Sequence, residues 1–256
     1  MTGRLQGKTA IVTGAGSGIG RETAILFGTE GASVVCVDIN SAGAAETAER
    51  CEQEGSSALA LTVDVTVESD TRRMAEKAFE TFGSINVLYS NAGVAGVGTA
   101  EDTECADWDR VIGVNLTGVW LSSKYVLPRM RAQGAGSIIN QSSIGGLSGF
   151  QNLASYSAAK GGVIALTRQM AVDFAADNVR VNAICPGSVP TPLVEKVYAL
   201  GGGDMAPRRE EIFARYPLGR YGTERDIANL ALFLASDEST WITGGVYAAD
   251  GGYTAG

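Results

Sequence analysis

A glycine-rich turn near the N-terminus, Gly14-Ala15-Gly16-Ser17-Gly18-Ile19-Gly20, most constrains how this chain can fold. The apolar run 8–13 before the turn predicts a buried strand, and the pattern 22–27 after it predicts a helix. Glycine lets the backbone turn sharply and approach a ligand, and the start of a helix offers unpaired N–H groups to phosphate. The order strand, glycine turn and helix therefore predicts the first unit of a dinucleotide-binding fold, with a turn that binds no ligand as the alternative.

A carboxylate, Asp38, ends the second predicted strand, 33–38. This position, roughly 20 residues past the glycine turn, suits an acceptor for the adenosine ribose hydroxyls of a dinucleotide. The same charge would repel a 2′-phosphate, and no Lys or Arg stands at Ser17, Ile39 or Asn40 to attract one. The sequence therefore favours NAD over NADP.

Strand patterns alternate with helical patterns along the 256 residues, without an internal repeat. This alternation predicts an α/β fold: a doubly wound, seven-stranded parallel sheet with helices on both faces, or Rossmann fold, in a single domain spanning 1–256. The predicted strands are 8–13, 33–38, 58–63, 86–90, 136–141, 179–185 and 246–249.

A tyrosine and a lysine four residues apart, Tyr156 and Lys160, precede the apolar run 163–166. Helical spacing puts both side chains on the same face of one helix. The ammonium favours the phenolate, so we expect a pKa for Tyr156 below the value of about 10 for free tyrosine, and an acid–base role. On this motif alone, an ordinary amphipathic helix is the commoner explanation.

Together, these motifs and several others make the chain resemble the short-chain dehydrogenase/reductase family, in its single-domain form and over essentially its whole length. The resemblance rests on 13–20, Asp64-Val65, Asn91-Ala92-Gly93, Asn115, Ser143, Tyr156, Lys160, Pro186-Gly187 and Thr191. One departure is Ser90, where the family usually has asparagine before Asn-Ala-Gly.

The resemblance implies four catalytic residues. Tyr156 would exchange a proton with a secondary alcohol while hydride passes to the nicotinamide, and Ser143 would donate a hydrogen bond to the substrate oxygen. Lys160 would lower the pKa of Tyr156 and contact the nicotinamide ribose. Asn115, in a helix expected from Trp108 to Met130, would bind a water that links Lys160 to solvent.

The resemblance also implies how NAD is bound. Asp64 and Val65 would hold the adenine, Asn91-Ala92-Gly93 would stabilise the sheet beside the cofactor, and the segment 186–191 would orient the nicotinamide. The complete predicted set is Gly14, Gly16, Ser17, Gly18, Ile19, Gly20, Asp38, Ile39, Asp64, Val65, Asn91, Ala92, Gly93, Tyr156, Lys160, Pro186, Gly187, Val189 and Thr191.

By the same resemblance, the substrate pocket is mostly apolar and suits a compact secondary alcohol or ketone, such as an alicyclic alcohol or a ring diol. Its predicted lining is Val94, Ala95, Ile144, Gly145, Phe150, Gln151, Asn152, Leu193, Val194, Val197 and Tyr198. A lid loop is expected around 188–222, with 199–204 interrupting a helical region; a glycine linker without a gating role is an equal alternative.

Composition excludes several classes of protein. There is no histidine, which removes Ser-His-Asp and Cys-His mechanisms and most catalytic zinc sites, so no metal is expected. The net charge of −8 argues against nucleic acid as a partner. No apolar run reaches the roughly 20 residues of a membrane span. Four cysteines without a C-x-x-C pair suit the cytoplasm.

Three alternative functions remain open. A 3-oxoacyl-carrier-protein reductase shares the chemistry, but Asp38 opposes NADPH and Val172 stands where such reductases tend to have a basic residue. Arg129 and Arg131 are a partial argument in its favour. A polyol or sugar dehydrogenase, or a nucleotide-sensing protein without catalysis, are the others; the latter commonly lose the catalytic Tyr or Lys, which this chain retains.

We also expect a homotetramer. The helices 108–130 and the one after Tyr156 are apolar over a wider arc than one packing face needs, which usually marks an interface. In the family these helices pair across a two-fold axis, and the C-terminal segment 247–253 builds a second contact. Two distinct two-fold interfaces generate a D2 tetramer.

Overall fold

A computed structural model describes residues 3–200 and 211–256 of the chain. Its seven strands form one parallel sheet in the order β3-β2-β1-β4-β5-β6-β7. The strands are β1 (Thr9–Thr13), β2 (Ser33–Asp38), β3 (Ala58–Thr62), β4 (Val87–Ser90), β5 (Gly136–Gln141), β6 (Val179–Pro186) and β7 (Val246–Ala249). Each lies within one residue of its predicted bounds at either end.

Helices cover both faces of this sheet, as predicted for a doubly wound fold. They are α1 (Gly18–Thr29), α2 (Ser41–Gln53), α3 (Glu68–Phe82), α4 (Cys105–Ile112), α5 (Gly118–Gln133), α6 (Ala154–Phe174), α7 (Pro192–Leu200) and α8 (Glu224–Ala235). Successive residues of β1 point to opposite faces: Val12 packs with Phe27 of α1, and Ile11 packs in the other cluster with Met74 of α3. The two helical layers therefore bury one apolar core each.

The order of the strands reverses direction between β1 and β4, which lie side by side although they are not consecutive. At such a point, the loops that follow the two strands separate and leave a crevice at the carboxyl edge of the sheet. The glycine turn follows β1, the segment 91–93 follows β4, and Ser143 lies just after β5. The fold thus brings three separate sequence motifs to one edge.

The single helix predicted from Trp108 to Met130 is present within a continuous helical run, 105–133, but it contains a π-helical turn that was not predicted. Helix α4 ends at Ile112, a π-helical segment covers Gly113–Thr117, and α5 continues from Gly118 to Gln133. The wider π turn coincides with Asn115, whose side chain bonds the backbone of Val94 instead of lying along a regular helix face.

The predicted apolar surplus of these helices is also largely core. Val111, Val119, Leu121 and Val126 are buried against the rest of the chain. The large apolar side chains of these helices that remain exposed are Trp108, Trp120 and Val172.

Part of the predicted lid lies outside the described residues. Helix α7 continues to Leu200, so the expected interruption does not begin at Ala199. Residues 201–204 and the side chain of Tyr198 are outside the described part of the chain. Among the described helices, none combines the length and apolar character that a membrane span requires.

Candidate active site

Helix α6 places Tyr156 and Lys160 one turn apart, as predicted, with the Lys160 ammonium 5.8 Å from the centre of the Tyr156 ring. The Ser143 hydroxyl lies beside the Tyr156 phenol and favours its ionised form. The Cα of Gly145 faces both side chains, since a Cβ there would lie 3.5 Å from both Ser143 Oγ and the Tyr156 ring. Three predicted catalytic side chains therefore meet at the carboxyl edge of the sheet.

Ser142, the neighbour of Ser143, has a different task. Its buried hydroxyl donates to the backbone oxygen of Lys160 at 2.8 Å, tying the end of β5 to the catalytic helix. Ser143 instead accepts a hydrogen bond from Gly145 N at 3.0 Å and remains partly accessible. Of the two serines, Ser143 is the one that can reach a substrate.

The ammonium of Lys160 is buried and donates to the backbone oxygen of Gln141 at 2.7 Å. Removing the charge from water lowers the pKa of Lys160 to about 8. Lys160 is thus close to its titration range at neutral pH, which is typical of functional lysines.

The pKa of Tyr156 differs from the expectation. Burial raises it above the ordinary value, and the hydrogen bond from Ser143 only partly opposes this shift. The Lys160 ammonium donates its hydrogen bond to the Gln141 carbonyl rather than to the phenol. Burial therefore holds the phenol neutral, the form that donates a proton to a carbonyl.

Asn115 is fully buried and clamps the loop after β4. Its Oδ1 accepts from Val94 N at 2.9 Å, and its Nδ2 donates to Val94 O at 2.9 Å. A Cβ at Gly93 would lie 2.9 Å from Asn115 Oδ1 and 3.8 Å from Lys160 Nζ. Asn115 and Lys160 therefore approach the same point of the 91–93 segment.

The glycine turn forms a cradle that side chains would fill. Gly14 and Gly18 have φ angles of 67° and 53°, in the region that favours glycine. A Cβ at Gly20 would lie 2.1 Å from Gly14 O, and one at Gly18 would lie 3.2 Å from Thr191 Cγ2. Ser17 makes no side-chain cap on α1, which leaves the helix N-terminus available to a phosphate. These residues fit a dinucleotide.

Asp38 closes the turn from the second strand. Its carboxylate accepts from Gly16 N at 2.8 Å and from Asn40 N at 2.9 Å. Arg21, the nearby cation, donates to Gly16 O at 2.5 Å but forms an ion pair with Glu46 at 2.8 Å. Glu46 also pairs with Arg50 at 2.5 Å, so both nearby guanidinium groups are already held by a protein carboxylate.

The other predicted cofactor residues lie along the same edge. Asn91 donates to Thr13 O at 2.9 Å, which holds the loop after β4 against β1. Asp64 accepts from both the backbone and the hydroxyl of Thr66, so its carboxylate shapes its own turn.

The remaining predicted cofactor residues differ in exposure. Ile39 is exposed, whereas Val65, Val189 and Thr191 are buried. Pro186 ends β6, and Gly187 N bonds Ala249 O at 3.1 Å.

Among the predicted pocket residues, Ile144 and Phe150 join an aromatic cluster that the sequence reasoning missed. Phe150 stacks on Tyr253 with 5.8 Å between ring centres, and Tyr253 lies 5.0 Å from Tyr216. Tyr216 in turn accepts a hydrogen bond from Ser188 N at 2.6 Å. Gln151 and Asn152 are exposed, Ala95 and Gly145 are buried, and Val94, Leu193, Val194 and Val197 are half-buried.

No signal in the linear sequence marks these missed contributions. Tyr216 and Tyr253 are far from the motifs in sequence and reach the site only through the tertiary fold. Gln141 binds Lys160 through its backbone oxygen, which residue type does not predict.

Comparison with known proteins agrees with this geometry. A family model described as enoyl-(acyl carrier protein) reductase matches residues 14–254. The chain is 40% identical to 2-(S)-hydroxypropyl-CoM dehydrogenase 3 of Xanthobacter autotrophicus over the full length of both. It is 37% identical to cyclohexanol dehydrogenase of Acinetobacter sp., covering 99% of this chain and 98% of that one. It is also 39% identical to the 3-oxoacyl-[acyl-carrier-protein] reductase FabG of Thermotoga maritima, covering 97% of this chain and 98% of that one.

Solved structures give the same result. The crystal structure of levodione reductase matches with a TM-score of 0.94 at 34% identity, covering 98% of this chain and 99% of that one. A short-chain type dehydrogenase/reductase from Mycobacterium marinum matches with a TM-score of 0.91 at 32% identity, covering 98% of this chain and 97% of that one.

Proposed function

Because the chain belongs to the short-chain dehydrogenase/reductase family, we propose that it interconverts compact, mostly apolar secondary alcohols and their ketones with NAD. The observation that carries the proposal is the meeting of Ser143, Tyr156 and Lys160 beside the glycine cradle. All four predicted catalytic residues are present, which favours an enzyme over a nucleotide-sensing protein that has lost catalysis.

The roles of the residues follow from their contacts. When bound, the nicotinamide nucleotide supplies the group that accepts or donates hydride at the substrate carbon. Tyr156 Oη takes the hydroxyl proton during oxidation or returns it during reduction, and Ser143 Oγ holds the substrate oxygen beside Tyr156. Lys160 Nζ offers a positive charge one helical turn away, and Asn115 fixes the loop against which Lys160 lies.

The preference for NAD rests on two neighbouring charges. Asp38 presents a carboxylate at the glycine turn, and the Arg21 guanidinium is paired with Glu46. A 2′-phosphate would meet the carboxylate without an unpaired cation to compensate for it. We therefore propose that Asp38 binds the ribose hydroxyls of NAD and discriminates against NADP.

An alicyclic alcohol is the substrate class that we favour. Cyclohexanol dehydrogenase is among the relatives over nearly the whole chain. The aromatic cluster of Phe150, Tyr216 and Tyr253 packs with Ile144 beside Ser143, and it supplies apolar rings rather than the converging polar groups that a sugar or polyol would need.

The second candidate, a 3-oxoacyl-carrier-protein reductase, is supported by the FabG relative. Its acidic carrier would need exposed cations, yet Arg131 pairs with Asp177 at 2.7 Å and Arg129 stacks on Phe79. Val172 is 77% exposed, and the net charge of −8 would repel the carrier. These features favour the alcohol dehydrogenase.

We further propose a homotetramer. A groove of about 360 Å³ runs between the outer faces of α5 and α6, with Trp120, Leu127, Leu166 and Phe174 in its lining. Strand β7 lies at the edge of the sheet, near the exposed Trp241. These two separate surfaces suit two different two-fold contacts.

A cytoplasmic location is the remaining part of the proposal. Cys36 and Cys51 are buried free thiols, and the neighbouring Cys51 thiol, together with burial, raises the pKa of Cys36. A reducing compartment would keep such a pair reduced. A disulfide between them in protein isolated from its native host with its thiols trapped would contradict this location.

An assay with two substrate classes tests the proposed function. We expect turnover of cyclohexanol and related ring alcohols with NAD, followed by the absorbance of the reduced nicotinamide. An acetoacetyl thioester with NADPH is the competing pair. A higher kcat/KM for that pair would favour the reductase instead.

A further inference from the structure

Four buried polar side chains form one layer in the core between the sheet and the helices α5 and α6. They are Ser90 at the end of β4, Asn140 in β5, Ser122 in α5 and Thr167 in α6, and none is more than 2% exposed. Asn140 Nδ2 donates to Thr167 Oγ1 at 2.9 Å. This bond joins the sheet to the catalytic helix.

The rest of the layer has unused hydrogen-bonding capacity. Asn140 Oδ1, Ser90 Oγ and Ser122 Oγ have no hydrogen-bond partner in the described part of the chain. Buried polar atoms are almost always paired with protein or with ordered water, because an unpaired group loses its hydration without replacement. Three such atoms in one layer therefore need a common explanation.

The packing register puts these three atoms close together. Ser90 and Asn140 are register partners on adjacent strands, so their side chains share a face of the sheet. Leu88 and Ile138, two residues earlier on each strand, pack in one buried cluster with Val126 of α5. The short connection from α5 to β5 makes the helix antiparallel to the strands.

Ser122 lies one helical turn before Val126, and therefore one step closer to the carboxyl edge. Ser122 on α5 therefore faces Ser90 and Asn140 of the sheet, in the same way that Val126 faces Leu88 and Ile138. Thr167 occupies the matching position on α6, as its bond to Asn140 shows.

Direct bonds do not satisfy these three atoms. Neighbouring strands lie about 4.8 Å apart, and a serine hydroxyl extends only one bond beyond Cβ. Asn140 Oδ1 needs a donor, and the two serine hydroxyls can each donate or accept. We infer that the layer binds one internal water, which donates to Asn140 Oδ1 and bonds Ser90 Oγ and Ser122 Oγ. About three such partners are what a buried water typically has.

The location gives this water a specific neighbourhood. Toward the carboxyl edge, Asn115 lies two helical turns beyond Ser122, and Lys160 lies two turns beyond Thr167 on α6. Ser142, two residues after Asn140, bonds the backbone oxygen of Lys160. The water site lies beneath these residues and links β4, β5 and α5, while Asn140 links α6. Its polar contacts connect α6, which carries Lys160, with α5, which directly follows the π-helical segment that contains Asn115.

High-resolution crystal structures of the full chain test the inference. In the wild type we expect one ordered water within hydrogen-bond distance of Ser90 Oγ, Ser122 Oγ and Asn140 Oδ1. Ser90→Asn should displace it, because the longer amide can donate directly to Asn140 Oδ1. Ser122→Ala should lower the occupancy of the water, since one of its three partners is lost.

Ser123→Ala is the matched control, because the buried Ser123 hydroxyl is already satisfied by Val119 O at 2.9 Å. This variant should leave the water unchanged. Direct hydrogen bonds among the wild-type side chains, without water density between them, would overturn the inference. So would equal water occupancy in Ser122→Ala and the wild type, a comparison that does not depend on Ser90→Asn folding.

Discussion

At the scale of single residues, the buried ammonium of Lys160 is the most costly feature of the site. It is 2% exposed, and its one hydrogen bond in the described residues is to Gln141 O. A buried lysine charge destabilises the fold unless it is compensated, so its retention points to a functional use. The hydrogen bond of this ammonium goes to Gln141 rather than to Tyr156, whose pKa is raised by burial.

This burial predicts how stability depends on pH. The pKa of Lys160 falls from 10.5 in the unfolded chain to about 8 in the fold, so the unfolded chain binds more protons between these values. The free energy of unfolding should therefore gain a rising contribution between pH 8 and 10, of about 1 to 3 kcal/mol. Above pH 10, ionisation of unfolded tyrosine opposes this gain because the pKa of Tyr156 is raised in the fold.

Denaturant unfolding of Lys160→Met at several pH values measures this contribution. The variant should be more stable than the wild type at pH 7, and the difference should shrink toward pH 10. Lys124→Met, at an exposed lysine paired with Glu68, is the control. A constant difference between Lys160→Met and the wild type across this range would contradict a depressed lysine pKa.

A second residue-scale prediction concerns Asp38. Replacing Asp38 by Ala together with Ile39 by Arg should narrow the NAD preference by one to two decades, or about 1–3 kcal/mol, because repulsion of the 2′-phosphate is replaced by attraction. The ratio of kcat/KM values for NAD and NADP measures the change. Glu49→Ala, an exposed carboxylate of α2, should leave the ratio unchanged. A wild-type protein that prefers NADP would contradict the assignment of Asp38.

At the scale of elements, the glycine turn depends on close contacts that a single methyl group would break. Gly20→Ala should abolish NAD binding, because its Cβ would lie 2.1 Å from Gly14 O and force the turn open. Gly149→Ala adds the same methyl group where nothing lies within 4 Å, so it should bind NAD normally. Fluorescence titration with NAD compares the two. Equal affinity in both variants would show that the turn does not form the binding cradle.

The elements also show what sequence alone can and cannot predict. The strands followed from apolar runs between turn residues, and Tyr156 and Lys160 from helical spacing, because these signals are local. The π-helical segment at Gly113–Thr117 is not local: it depends on the bonds between Asn115 and Val94, 21 residues apart. The aromatic cluster has the same origin, since Tyr253 meets Phe150 only in the folded chain.

At the scale of the whole molecule, the proposed tetramer depends on the exposed apolar residues of α5 and α6, not on their buried ones. The buried valines of α4 and α5 cannot form an interface, whereas Trp120 in the α5–α6 groove and the exposed Val172 of α6 can. Light scattering coupled to size exclusion should give about four times the 26.5 kDa of one chain. Val172→Asp should reduce this mass, because a charge would enter an apolar contact, and Glu49→Ala should not. A wild-type mass near one chain would contradict the tetramer.

The proposed chemistry also belongs to this scale, since it needs the cradle, the catalytic helix and the aromatic cluster together. Its most direct test is the turnover of cyclohexanol with NAD by Tyr156→Phe, with NAD affinity measured on the same preparation. We expect kcat to fall by about 10²- to 10⁴-fold, the usual contribution of a positioned acid–base group, while NAD affinity changes little. A variant that binds NAD normally and retains more than about a tenth of wild-type kcat would contradict the role of Tyr156 as the proton-transfer group.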